Sequence, residues 1–212
     1  QQSGNTVISN PAAPSLKFTE EKFLFADSNF FSFYSFPLVS GNKDHVLDNP
    51  FTVVLSQKAA RKYFGNLSAD QVIGREVIYM DSLRLTVSGI VEDLPENSDL
   101  RFNDFISFST VPGSFLRDQF RFEQWGNFRD DNQVFVKLAP GNTPSNINKQ
   151  FEKFTAAHIP PSPTDKIWLK LQPLSKLHFD SNFKDLYARK VHLPTLYGLM
   201  AIAAFILTIA SI

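Results

Sequence analysis

Residues 74–91 read GREVIYMDSLRLTVSGIV, two β-rich runs around a polar turn at Asp81-Ser82. In the second run Leu83, Leu85 and Val87 alternate with Arg84, Thr86 and Ser88. Successive side chains of a strand point to opposite faces, so this spacing predicts one buried and one wet face. The first run, Arg75 to Met80, opens after Gly74 and is equally rich in strand formers. Together they predict a β-hairpin, and the rest of the chain can be read outward from it.

Immediately upstream, Phe51 to Leu55 (FTVVL) predicts a short strand. Ser56 is placed to cap a helix over Gln57 to Phe64, with Ala59, Ala60, Tyr63 and Phe64 on one side. Gly65 follows where a left-handed C-terminal cap is preferred. Further back, Ala26 to Gly41 (ADSNFFSFYSFPLVSG) suits a short helical turn that Pro37 stops, its aromatics reading as core rather than a ligand cage. Leu16 to Ala26 has strand-like stretches around Phe23 and Phe25. Gln1 to Ser15, polar and Pro-bearing, reads as a mobile arm or linker.

Downstream, Asp93 to Ser98 predicts a turn and Phe102 to Phe108 another strand, while Val111 to Asp131 reads as partly helical. Gln133 to Leu138 (QVFVKL) predicts a strand ending at Pro140-Gly141. Thr143 as cap and Pro144 at the first helical position start a helix to His158, with Ile147, Phe151 and Phe154 in one stripe. Pro160 to Pro163 break it, and Ile167, Leu169 and Leu171 alternate as one more strand. The fold class is therefore α+β in two lobes: a smaller strand-rich unit, then strand–helix–strand resembling half of an α/β layer.

The last twenty residues, Leu193 to Ile212 (LPTLYGLMAIAAFILTIASI), contain no Asp, Glu, Lys, Arg or His. At about 1.5 Å of rise per residue they span roughly 30 Å, the thickness of a bilayer's hydrocarbon core. Thr208 and Ser211 are tolerable there because a helical hydroxyl can bond a carbonyl about one turn back. A buried core helix seldom lacks charge for so long, so a transmembrane helix is the favoured reading.

Lys+Arg and Asp+Glu balance at 21 each, so no overall field attracts nucleic acid or anionic lipid. There are no cysteines, which excludes a disulfide scaffold, a thiol nucleophile and a Cys-based metal site. The start at Gln1, without Met or an apolar leader, predicts a fragment whose first membrane anchor lies upstream.

The sequence carries no nucleophile elbow, phosphate-cradling loop or His-Glu-x-x-His pair. His45, His158, His178 and His192 lie far apart, and Asp44 and Asp48 beside His45 suit a solvated loop. His178 and Asp180 could share a strand face, but they would supply only two metal ligands. The acidic patch of Glu92, Asp93, Glu96 and Asp99 lacks the ligand order of a calcium loop and reads as a solvated turn. No catalytic, cofactor-binding or metal residue is assigned, and no enzyme activity is expected.

Taken in order, several segments resemble the extracytoplasmic domain of MacB/FtsX-like ABC transporter permeases. They are Ala26 to Gly41, Thr52 to Gly65 (TVVLSQKAARKYFG), Ile73 to Tyr79 (IGREVIY), Leu85 to Phe108 (LTVSGIVEDLPENSDLRFNDFISF), Trp125-Gly126-Asn127, Phe135 to Pro144 (FVKLAPGNTP) and Leu171 to Asn182 (LQPLSKLHFDSN). The series covers residues 20–212. The resemblance implies a periplasmic domain between the first and second of four membrane helices, with Leu193 to Ile212 as the second, cut at its end. It implies a porter-like α/β lobe with a smaller inserted lobe. The boundaries are 1–19 for an N-terminal arm and incomplete domain start, 20–110 for the insert, 111–185 for the returning porter half and 193–212 for the membrane helix. A porter half without its first part would lack strands to pair with.

The function implied is mechanical. A cytoplasmic ABC ATPase, separate or fused, would dimerise on ATP, and membrane helices would carry that movement to paired periplasmic domains. These would move or export a substrate such as a lipoprotein, peptide or drug. Implied partners are the ATPase, a second permease copy, and a periplasmic adaptor or lipoprotein; the implied location is the bacterial inner membrane, with residues before 193 in the periplasm. Lys184 to Pro194 would be the coupling stalk. Arg189, Lys190 and His192 carry a positive bias that would favour the opposite orientation, but long domains translocate largely regardless of it. The alternatives are a membrane-tethered ligand-sensing domain of a signalling receptor and an anchored hydrolase.

Overall fold

The computed structural model of the chain describes residues 6–95, 98, 100–121, 123–125, 132–161, 166–177, 179 and 192–211. The chain divides into two compact units, Gln1–Glu123 and Gln124–Ile212.

The first unit is built on the hairpin. Strands β6 (Glu76–Tyr79) and β7 (Leu83–Val91) pair antiparallel, Val77 opposite Leu85 and Tyr79 opposite Leu83. Met80 and Asp81 turn the corner with φ of 52° and 58°. Strand β7 is long enough to hold β6 along its first half and β4 (Leu38–Ser40) at its far end. Strand β5 (Thr52–Ser56) runs parallel to β7 on the other side.

A register shift falls at Ser88, where Val53 pairs with Val87 but Val54 with Gly89. Such a bulge changes the parity of the alternation. Ile90 therefore joins the buried set of Leu83, Leu85 and Val87. The Ser88 hydroxyl is used locally, donating to the carbonyl of Val46 at 2.6 Å.

Strand β8 (Asp104–Ser107) continues the sheet antiparallel to β5, and β3 (Phe23–Ala26) closes it parallel to β8. On the opposite side, residues expected as a mobile arm are strands β1 (Thr6–Asn10) and β2 (Ala13–Glu20). Ile8 pairs with Phe18 and with Tyr79 and has no exposed surface. The arm reading fails because β2 is an edge strand. Its Pro14, Ser15 and Lys17 look like linker composition but suit an edge, where a missing N–H and a charge deter further pairing. The order is β2-β1-β6-β7-β5-β8-β3, with β4 beside β7.

Helices cover this sheet on both faces. Helix α2 (Gln57–Phe64) starts where expected, the Ser56 hydroxyl accepting from the Ala59 N–H at 3.1 Å. It packs Ala59, Ala60 and Tyr63 on Val53, Leu55 and Val77. Helix α1 (Phe30–Tyr34) ends in a left-handed Ser35 before Pro37 is reached. Its Phe30 and Phe31 rings lie 5.3 and 5.1 Å from that of Phe105, which pairs with Val54 on the other face. The short helices α3 (Ala69–Val72) and α4 (Arg117–Phe120) complete the unit; α4 is the helical part of the region read as partly helical from Val111, and a 3-10 turn at Phe108–Thr110 precedes it.

In the second unit, helix α5 (Pro144–His158) has the predicted cap, Thr143 accepting from the Asn146 N–H. The two segments expected as strands, 133–138 and 167–171, form none among the described residues. Val134 is 88% exposed and Trp168 66%, and neither segment joins a ladder among the described residues. Alternation alone does not make a strand, because its N–H and C=O groups need a neighbour. The short helix α6 (Leu174–Leu177) follows, and α7 (Leu193–Ala210) forms as one uninterrupted helix of 18 residues. None of α7 is buried, so its Leu, Ile and Phe side chains face outward all round. Thr208 donates to the Ala204 carbonyl at 2.8 Å, the intrahelical bond that makes it acceptable in an apolar span.

Candidate functional site

The residues weighed for chemistry in the sequence fall into place separately. The His45 ring lies 2.7 Å from Asp48 on an exposed loop, and that hydrogen bond and charge raise its pKa. Asp44, in the same loop, accepts from Ser32 of helix α1. His158 stacks on Trp125 with ring centres 4.4 Å apart, and His192 meets the Thr195 hydroxyl at 2.8 Å. His178, Asp180, Glu96 and Asp99 lie outside the described residues, as does most of the stretch from 184 to 194. Among the described residues no three His, Asp or Glu side chains gather as a metal site.

The turn after β7 is not simply solvated. Asp93 accepts from the backbone N–H of Lys58 at 2.7 Å and from Arg61 at 2.9 Å. It thereby ties that turn to the first turn of α2, where exposed amides and the helix dipole favour a carboxylate.

The most concentrated polar constellation was not singled out in the sequence. Asp104, at the start of β8, has no exposed surface, and its Oδ2 accepts from Tyr79 at 2.7 Å and from Tyr63 at 2.8 Å. Among the described residues its Oδ1 has no hydrogen-bond partner. The Tyr63 hydroxyl also lies 3.2 Å from Oε2 of Glu20 at the end of β2. Glu20 is held by Lys62 at 3.0 Å, by Asn103 at 3.0 Å and by the Lys22 N–H at 2.9 Å.

Burial raises the Asp104 carboxyl to about 7, against the Tyr79 hydrogen bond. Burial and the Asp104 charge push both phenols far above their ordinary value. For Glu20 burial is outweighed by its hydrogen bonds from Lys22, Lys62 and Asn103, and the net shift is downward. Asp104, Glu20, Tyr63 and Tyr79 are all buried. The cluster can hold protons and tie α2, β2, β6 and β8 together. A legible signal did exist: Asp104 shares strand parity with the core residue Ile106, so its carboxylate had to point inward.

By sequence, residues 6–154 match the MacB-like periplasmic core domain family. The chain belongs to that family. Its fold is similar to a crystal structure from Porphyromonas gingivalis described as a domain of a permease protein. The TM-score is 0.52 at 20% identity, covering 74% of this chain and 66% of that one. The periplasmic region of MacB from Actinobacillus actinomycetemcomitans aligns with TM-score 0.48 at 17% identity over 73% of this chain and 64% of that one. The extracellular domain of the noncanonic ABC-type transporter YknZ from Gram-positive bacteria gives 0.38 at 16%, over 53% and 54%. The chain thus spans slightly under two thirds of the first two solved domains. No curated protein sequence matches it significantly. This MacB-like domain is a mixed α/β one, with a C-terminal helix long and apolar enough to cross a membrane.

Proposed function

We propose that the chain is the extracytoplasmic part of an ABC transporter permease, coupling cytoplasmic ATP hydrolysis to movement or export of a periplasmic substrate. One observation carries this reading: a MacB-like periplasmic core domain is followed in the same chain by an uncharged helix of 18 residues, α7. The helix gives the domain a mechanical connection to the membrane. The domain does no bond chemistry, and its output is motion. Its partners are a cytoplasmic ATPase, a second permease copy, and a periplasmic adaptor or lipoprotein. The substrate class is a lipoprotein, peptide or drug, and the location is the bacterial inner membrane with residues before 193 in the periplasm. In this reading 20–110 form an inserted lobe and 111–185 a returning porter-like lobe; the division between compact units after residue 123 supports two bodies, with β1, β2 and residues 111–123 falling in the first.

These 212 residues hold no cysteine, so Lys58→Cys, at an exposed position of α2, creates a single labelling site within them, any cysteine elsewhere in the full permease or ATPase being replaced first. In spheroplasts carrying the full permease and its ATPase, a membrane-impermeant maleimide should label it without lysis. A fluorophore placed there should report a different environment with ATP than with ADP. Labelling only after lysis would overturn the orientation, and identical signals in both nucleotides would overturn the coupling.

A further inference from the structure

A count of hydrogens in the buried cluster leads beyond a structural role for Asp104. Tyr63 has one hydroxyl proton but two carboxylate oxygens within reach, Asp104 Oδ2 at 2.8 Å and Glu20 Oε2 at 3.2 Å. With both carboxylates ionised, Tyr63 can donate to only one, and the other contact sets lone pair against lone pair. One added proton makes both contacts hydrogen bonds. It would sit on Oδ2 of Asp104, since among the described residues nothing stands to accept it from Oδ1. Asp104 then donates to the Tyr63 oxygen, and Tyr63 donates onward to Glu20, which Lys62 and Asn103 already hold as an anion. Tyr79 keeps donating to Oδ2 at 2.7 Å in either state.

We propose that Asp104 and Tyr63 form a proton-operated latch: protonated Asp104 directs Tyr63 of α2 onto Glu20 of β2, and loss of that proton turns Tyr63 back onto β8. The groups that face Asp104 are Glu20 from β2, Lys62 and Tyr63 from α2, and Tyr79 from β6. Its cross-strand neighbours on β3 and β5 are the apolar Phe23 and Leu55, which cannot titrate. Burial and the nearby Glu20 charge favour the proton, while the hydrogen bonds from Tyr79 and Tyr63 and the Lys62 charge oppose it. In the ionised state α2 would keep its hold on β2 through Lys62, with Nζ 2.6 Å from the Thr19 carbonyl. The device makes the contact between α2 and the end of β2 sensitive to pH near neutrality.

The test is a carboxyl carbon NMR titration of the full chain in lipid nanodiscs, labelled at Asp and Glu, from about pH 5 to about pH 9. Asp104 should titrate near about 7. The Glu20 resonance should show a secondary shift at the same midpoint, because Tyr63 leaves it there. Asp104→Asn should remove that secondary shift. Tyr63→Phe should leave the Asp104 titration in place while abolishing the Glu20 response. Either an Asp104 midpoint in the ordinary carboxylate range, or a Glu20 response that survives in Tyr63→Phe, overturns the latch. Should Asp104→Asn fail to fold, the wild-type and Tyr63→Phe titrations decide the matter alone.

Discussion

Tyr79 donates its phenol hydrogen to Oδ2 of Asp104 across 2.7 Å, and neither residue has any exposed surface. A carboxyl placed there carries a stability consequence that can be signed. Burial raises its folded pKa to about 7, whereas in an unfolded chain it lies near about 3.9. Between those values the native state holds a proton that the unfolded chain has lost, so stability falls as pH rises through this window and levels off above it. At about 1.4 kcal/mol per unit the loss is on the order of 4 kcal/mol. Glu20 acts oppositely: its lowered pKa gives stability that is present above about 4 and disappears as pH falls through its folded value. Denaturant unfolding of the first unit should therefore be most stable on the mildly acidic side. Asp104→Asn should flatten the decline towards pH 8; a variant with the same decline as wild type would refute the assignment.

Helix α2 is anchored at its N-terminus by two acceptors from different parts of the chain. Ser56, which is buried, accepts from the Ala59 N–H, and Asp93, beyond β7, accepts from the Lys58 N–H and pairs with Arg61. Ser56→Ala should lower stability by about 1–2 kcal/mol, at the upper end of cap losses because the freed amide is buried. Asp93→Ala should lower it by about 1 kcal/mol, since its ion pair is largely exposed. Thermal melts read both. An Asp93→Ala loss that vanishes in Arg61→Ala would assign the effect to the ion pair rather than the helix end.

Two glycines with positive φ separate backbone cost from steric cost. A Cβ on Gly41 would stand 2.9 Å from the Ser88 carbonyl oxygen and 3.0 Å from Gly89 Cα, with φ at +106°. A Cβ on Gly65, with φ at +71°, would meet nothing within 4 Å. Gly65 has ψ at −138°, a backbone region essentially reserved for glycine, so Gly65→Ala should cost about 1–2 kcal/mol from the backbone alone. Gly41→Ala should cost roughly 2–4 kcal/mol, because backbone of the β7 bulge must move. Chemical denaturation of the two variants side by side tests the ranking, which equal losses would contradict.

The sequence was most legible where local rules and tertiary packing agree. Ser56, Gly65, Thr143 and Pro144 mark helix ends through their own chemistry, and those ends stand where they were read. The hairpin of β6 and β7 was equally open to reading, except that nothing local reveals the bulge at Ser88. Two kinds of information were hidden. Strand status depends on a partner strand, so β2 formed from linker-like residues while QVFVKL, despite its alternation, joins no strand ladder among the described residues. The Asp104 cluster draws on residues up to 84 positions apart in the chain, from Glu20 to Asp104, and only the fold brings them together. Tyr63 had been read as one more apolar residue on α2, a role it also fills by packing on Phe18 at 5.5 Å.

Helix α7 supplies the last test, because its assignment as a membrane span rests on composition and length. Its apolar side chains are exposed over the whole circumference, Phe205 at 66% and Leu207 at 71%, an arrangement water would penalise and lipid would not. Ala203 stands in the middle of Leu193–Ala210. A carboxylate there opposes insertion by about 2.5–3.5 kcal/mol, roughly a hundredfold in the insertion equilibrium, with no nearby cation in the helix to offset it. Ala203→Asp should therefore reduce membrane integration and abolish transport in the full permease, whereas Ala203→Leu should preserve integration. Carbonate extraction measures integration directly, independently of any substrate. If Ala203→Asp were integrated as fully as wild type and still supported transport, α7 could not be a lipid-facing span. If both variants integrated but only Asp lost transport, the helix would be confirmed as a span and its centre as a packing surface in the moving assembly.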